Sequence, residues 1–302
     1  MKRFGRSQHG RQRWYCLQCQ RTYSWRLHSA RASRRFYWFK LWVVEGYSVR
    51  ELARLSRFST TTIRRVILYW LERPPTMDFP CSFIKHIIVD GTFLQRNRGI
   101  YAAMNTEGHQ LISAGYNVRE GAKDLLTFYT HLALRGLVPN SATIDGNPQQ
   151  TKYLRTIWPS VELQRCIVHV QRQGLSWCRR TPKRADARQL RTLFLALTNV
   201  HTETARRQFI RRVQAWEQRF GPRIDSSPNR GWVFSDLMRA RSMLLKALPD
   251  LFHYLDNKKI ARSTNALEGY FSRLKERYRR HRGLSIKHRD AYFRWYFYLV
   301  SR

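Results

Sequence analysis

The chain has 302 residues, 56 of them Lys or Arg and only 20 Asp or Glu, for a formal net charge of +36. A hydrophobic fraction of 43% excludes a disordered basic tail, and the lack of any run of about 18 apolar residues excludes a membrane-spanning helix. So large an excess of positive charge, mostly Arg, calls for a polyanionic partner, and nucleic acid fits it better than a membrane surface.

The first segment, 1–28, is basic and closes with RWYCLQCQRTYSW. Its Cys16 and Cys19 form half of a zinc ribbon, because a closed tetrahedral Zn²⁺ site needs four ligands and no second C-x-x-C follows. His9 and His28 could substitute, but their spacing matches no strong pattern; a ribbon remnant that binds no metal is the plain alternative. Five Cys in all, an odd number, suit a reducing compartment better than a disulfide framework. Residues 29–75 predict three helices. RASRRFYWFKLWVVEG stops at Gly46, SVRELARLSR opens on a capping box of Ser48 and Glu51, and FSTTTIRRVILYWLER is capped by Ser59. In the last of these Ile63, Val66, Ile67 and Trp70 share a face. A short helix followed by a second one carrying Thr61, Thr62, Arg64 and Arg65 near its start predicts a helix-turn-helix that reads double-stranded DNA. The Pro-rich RPPTMDFP then reads as a linker.

The hydrophobic period changes at residue 83. FIKHIIVDGTFL, GIYAAMNTEG and HQLISAGYNV predict three consecutive strands; AKDLLTFYTHLALRGL is a helix, SATIDG a short strand, PQQTKYLRTIW a helix and VELQRCIVHV a further strand. That order is α/β. The first part of this core is placed at 80–172, a basic helical insertion at 173–258, and two closing helices at 259–302, the first of them carrying STNALEGYFSRLKERYRRHRG.

Two acids stand out. Asp90 and Asp145 each follow an apolar strand and precede a glycine. Either alone reads equally well as a turn. Two in one α/β domain would bring like charges to one end of a sheet, which persists when a cation lies between them. Oxygen ligands with open positions favour Mg²⁺. Glu268 is the third candidate, since no residue one turn away offers it an obvious salt bridge.

The stretches VDGTF, IDGNPQ, QRCIVHVQR and STNALEGYFSRLK, in that order behind the half ribbon and the helix-turn-helix, resemble the DDE transposases of the Mutator superfamily of bacterial insertion sequences. The resemblance covers nearly the whole chain and departs from the family in the missing first C-x-x-C. It implies a ribonuclease-H-like core interrupted by an all-helical insertion, with Asp90, Asp145 and Glu268 as catalytic acids and ligands of two Mg²⁺ or Mn²⁺ ions. It places Cys166 and His169, a C-x-x-H pair, and Asn265 near the active site. Residues 166 and 169 on a strand would face opposite sides, so a shared metal there would need the strand to bend. Arg262, Arg273, Lys275, Arg277, Arg279 and Arg280 would hold DNA phosphates around Glu268. The implied reaction is cleavage at the element's ends and strand transfer into target DNA, by a homo-oligomer in the bacterial cytoplasm at the nucleoid. Zn²⁺ at Cys16 and Cys19 stays open. A retired transposase acting as a DNA-binding regulator is the alternative, although such a protein would be expected to have lost one of the three acids.

Overall fold

The structure is a computed structural model that describes residues 1–8, 10, 12–24, 28–76, 79–95, 98–116, 122–226, 231–281 and 283–301. The chain divides into two compact units, Met1–Arg73 and Pro74–Arg302.

The first unit begins with a three-stranded antiparallel sheet of β1 (Lys2–Arg6), β2 (Gln12–Tyr15) and β3 (Thr22–Ser24). Helix α1 (His28–Lys40) runs into a π-helical turn, Leu41–Glu45, which Gly46 closes with φ of 72°. Only a residue at ease in the left-handed region ends a helix this way without strain. Helix α2 (Val49–Ser56) carries the capping box: the Glu51 N–H donates to Ser48 Oγ, and the Ser48 N–H donates to Glu51 Oε2. Helix α3 (Thr60–Leu71) starts at Ser59, whose side chain accepts from the Thr62 N–H. Phe39, Trp42, Val43, Leu52, Ile63, Val66, Ile67 and Leu71 are buried, and Phe39 stacks on Trp42 and Trp70. The i, i+3, i+4 spacing of α3 therefore faces the core of this unit, as amphipathic spacing requires.

The second unit is built on a mixed five-stranded sheet in the order β6-β5-β4-β7-β8. Strands β4 (His86–Gln95), β5 (Arg98–Asn105) and β6 (Leu111–Tyr116) form an antiparallel meander. After helix α4 (Ala122–Leu134), strand β7 (Ser141–Ile144) pairs parallel to β4; after helix α5 (Pro148–Ile157), strand β8 (Glu162–Arg165) pairs parallel to β7. Alternation along β4 sends Ile87 and Val89 into a core with Leu125, Tyr129 and Leu132 of α4 and Leu154 of α5. Ile88 and Asp90 point to the other face, toward α11 (Asn265–Arg279), which packs on β4. The last helix, α12 (Ile286–Val300), packs on β6, with Phe293 against Tyr116.

Between β8 and α11 lies a helical block of α6 (Ile167–Cys178), α7 (Ala185–Leu197), α8 (Glu203–Asp225), α9 (Trp232–Ala247) and the short α10 (His253–Asp256). It has its own core of Leu190, Phe194, Phe209, Val213, Trp216 and Leu244. Gly174 lets α6 and α7 approach closely: a Cβ there would meet the Phe194 ring at 2.3 Å. The buried amide of Gln164 joins this block to the sheet, donating to Leu251 O and accepting from the Tyr254 N–H.

One expected element is corrected. VELQRCIVHV is not a single strand: β8 ends at Arg165, Cys166 is the N-cap of α6, and the chain continues as helix. The apolar residues Ile167, Val168 and Val170 satisfy either period, and a short apolar run cannot distinguish a strand from a buried helix start. The expected boundary at 172/173 consequently falls inside α6.

Candidate metal centre on the face of the sheet

Asp90 sits in the middle of β4, paired with Ala102 of β5, and the strand runs on past Gly91 to Gln95. There is no turn at this aspartate. At the second acid there is one: β7 ends at Ile144, the Asn147 N–H donates to Asp145 Oδ1 at 2.9 Å, and Gly146 has φ of 94°. Since β4 and β7 are parallel and in register through Ile88 and Thr143, Asp90 within β4 stands level with Asp145 just beyond the end of β7. Asp90 is buried, 5% exposed, and its Oδ1 accepts from the Gly91 N–H at 2.8 Å. Burial pushes its carboxyl up to about 7; the charge of Asp145 adds to the rise, and the Gly91 N–H and His169 oppose it.

Glu268 arrives on the first turn of α11, and the start of this helix is tied down from three sides. The Thr143 hydroxyl donates to Ala261 O at 2.6 Å, the Ile167 N–H donates to Arg262 O at 3.1 Å, and the Thr264 N–H donates to Cys166 Sγ at 3.3 Å. Thr264 is fully buried, and its hydroxyl also lies 3.6 Å from Cys166 Sγ and 3.3 Å from His169 Nδ1. On the first turn of a helix, residues 166 and 169 share a side, which removes the difficulty expected for a strand. His169 Nε2 then lies 3.6 Å from Glu268 Oε1. A hydrogen bond with Cys166 is the largest influence on His169; burial opposes it, the charges of Cys166, Asp90 and Glu268 add to it, and the imidazole is raised to about 9. Burial pushes the Cys166 thiol up, but hydrogen bonds and charge from His169 outweigh it, and the thiol lies below its ordinary range.

Among the described residues, ligand atoms of Asp90, His169 and Glu268 lie within 4.8 Å of one another. The sequence pointed to both acids of this cluster. His169 takes the third place in it; Asp145 stands outside it, close enough for its charge to act on Asp90. A carboxyl whose proton is held chiefly by burial and further by a nearby second acid is the electrostatic state that a bound cation relieves, and carboxylate oxygens suit Mg²⁺ or Mn²⁺. The residues present therefore fit a divalent cation. Glu268 does have a salt bridge, and it comes from a distant segment: Arg172 Nη1 donates to both carboxylate oxygens, at 3.0 and 3.3 Å. No pattern local to α11 could reveal it. Asn265 is the exposed first residue of α11.

The remaining expected residues divide by environment. Thr61, Arg64 and Arg65 are exposed on α3, while the Thr62 hydroxyl lies 3.0 Å from Ser59 Oγ within the cap. Arg273, Arg279 and Arg280 are exposed on and just beyond α11. Lys275 donates to Thr92 Oγ1 on β4, and Arg277 pairs with Glu276 at 3.6 Å. Arg262 is committed to protein: its guanidinium donates to Thr198 O and meets His201 Nδ1 at 3.0 Å. Cys16 and Cys19 lie in the turn between β2 and β3, where Cys19 Sγ is 3.2 Å from the Tyr23 hydroxyl. Among the described residues no further Cys, His, Asp or Glu gathers with them; His9 lies outside those residues, as does the side chain of His28. No helix among the described residues is long and apolar enough to cross a membrane.

A family model described as transposase, Mutator family, matches residues 43–286. The transposase for insertion sequence element ISRM3 of Rhizobium meliloti (strain 1021) is 26% identical over 159 residues, a stretch that covers 50% of this chain and 40% of that protein. The match thus spans well under two thirds of the relative's length.

Proposed function

This chain belongs to the Mutator family of transposases, and from that premise we propose that it cuts DNA at the ends of an insertion sequence and joins them to target DNA, using Asp90, Asp145 and Glu268. The observation that carries the reading is the convergence of Asp90 and Glu268 within one 4.8 Å cluster, with Asp145 acting on Asp90 from the neighbouring strand. The strand order β6-β5-β4-β7-β8, with Asp90 in the middle of β4 level with Asp145 at the end of β7, supports a ribonuclease-H-like core.

In this reading Asp90, Asp145 and Glu268 hold Mg²⁺ or Mn²⁺, which when bound supplies Lewis acidity for an in-line displacement at phosphorus. The chain's own part is positional. The rigid centre of β4 fixes Asp90. Cys166, Thr264 and His169 fix the start of α11, so that Glu268 faces Asp90 across the sheet surface. Arg273, Arg279 and Arg280 hold backbone phosphates beside the acids. Helices α2 and α3 act as a helix-turn-helix that presents Thr61, Arg64 and Arg65 to the major groove of the element's ends. Joining two ends requires at least two copies on the DNA.

The test is cleavage of a labelled duplex bearing the element's own ends, with Mg²⁺ or Mn²⁺, by the wild type, Glu268→Gln and Asp90→Asn. Metal-dependent cuts at the ends should vanish in both variants while DNA binding persists. Tight end binding with no cut by any of the three would instead support a DNA-binding regulator.

A further inference from the structure

One face of α6 is turned toward the acids. His169, Arg172, Gln173 and Ser176 recur at i, i+3, i+4 and i+7, and with Asp145 and Arg165 they edge an open cavity of about 290 Å³. The two guanidiniums dominate its chemistry. Arg165 lies half-buried across the backbone of the Asp145 turn, where Nη2 donates to Asp145 O at 3.3 Å. This position exists because residue 146 is glycine: a Cβ there would stand 1.8 Å from Arg165 Cζ. Arg165 Nε is buried and has no hydrogen-bond partner among the described residues. Arg172 lies at the rim, its side chain 60% exposed, and only its Nη1 engages Glu268. Gln173 and Ser176 add uncharged donors. Val170 and Met243 complete the lining, and two guanidiniums against the single Asp145 carboxylate leave a net positive charge that suits a singly charged tetrahedral anion.

The Arg172 contact also conflicts with the role of its partner. Nη1 sits astride both oxygens of Glu268, the atoms that a divalent cation would need. Resting on the function proposed above, we propose that this cavity receives one backbone phosphodiester of the DNA strand held at the acids, and that Arg172 moves from Glu268 to that phosphate when cation and DNA are bound. In the DNA-free protein Arg172 then serves as a placeholder that neutralises Glu268. In the loaded protein it is a substrate-binding residue.

The exchange makes two predictions for Arg172→Ala that a merely structural ion pair does not make together. Without DNA, Mn²⁺ affinity measured by electron paramagnetic resonance should rise about two- to fivefold, the factor that a partly exposed ion pair is worth. With duplex DNA, the slope of log affinity against log salt should become shallower by about 0.9, one phosphate contact. Arg172→Lys, which keeps the charge, should stay near the wild type in both and serves as the folded control. Replacing the duplex by inorganic phosphate distinguishes a strand phosphate from a free anion, since phosphate at millimolar concentration should not displace Arg172 from Glu268 and so should leave the wild-type Mn²⁺ affinity unchanged. Mn²⁺ binding that Glu268→Gln abolishes, together with no change of either quantity in Arg172→Ala, would overturn the exchange and leave the functional reading intact. A wild type with no Mn²⁺ site sensitive to Glu268→Gln would overturn both.

Discussion

Asp90 and His169 both hold protons more tightly in the folded protein than their ordinary values allow, and this fixes the sign of a pH effect. Asp90 is raised to about 7 from 3.8, so its contribution to stability is present at low pH and is lost as pH rises through about 7. His169 is raised to about 9 from 6.5, and its contribution is lost as pH rises through about 9. Through these two groups the unfolding free energy of the metal-free protein should therefore decline by on the order of a few kcal/mol between about pH 4 and about pH 9, and the melting temperature should fall with it. Saturating Mg²⁺ should flatten the lower window, because a cation stabilises the ionised carboxylate; a pH-independent melting temperature would rule out the buried charge balance. A second residue-scale prediction concerns Gly146. Its φ of 94° strains any L side chain, and an added Cβ would collide with Arg165. Gly146→Ala should cost at least about 2 kcal/mol in a denaturant titration, and part of that loss should disappear in an Arg165→Ala background.

At the scale of elements, the junction of β8 with α6 matters most. Because the strand stops at Arg165, Cys166 and His169 lie on one helical turn and can both meet Thr264. Thr264→Val removes the hydroxyl from this buried network and leaves His169 Nδ1 without it. The expected loss is about 1–3 kcal/mol, the cost of an unsatisfied buried polar group. Mn²⁺ affinity should fall too, since α11 would be less firmly held; an unchanged melting temperature and metal affinity would show that the network does not position Glu268. The helix starts at Ser48 and Ser59 were legible in the sequence because caps are local chemistry. The start of α6 was not, because Cys166 makes no side-chain cap and nothing local marks the change of period.

For the whole molecule, the net charge of +36 would set how it meets the proposed DNA substrate. If the proposed helix-turn-helix and the exposed arginines of α11 make several phosphate contacts, affinity should fall about 10³- to 10⁵-fold between 50 and 200 mM salt, the range for six to ten contacts. A filter-binding titration at graded salt measures this, and a flat response would remove phosphate contact as the basis of binding. The charge is also unevenly spent. Arg262 and Arg165 are turned inward onto backbone carbonyls, whereas Arg273, Arg279 and Arg280 remain exposed, a difference that a count of basic residues cannot reveal.

The sequence by itself determined what depends on near neighbours along the chain: the caps of α2 and α3, the apolar runs of β4 and β7, the acids next to those runs, and a charge that calls for a polyanion. It also carried the family, through four short stretches in order. Only the tertiary structure decided that His169, in place of Asp145, joins Asp90 and Glu268 in one cluster, that Arg172 is the partner of Glu268, and that Arg262 is committed to a carbonyl. Each of these joins side chains from distant segments, and such distances are set by sheet register and helix packing, which no single stretch of sequence contains.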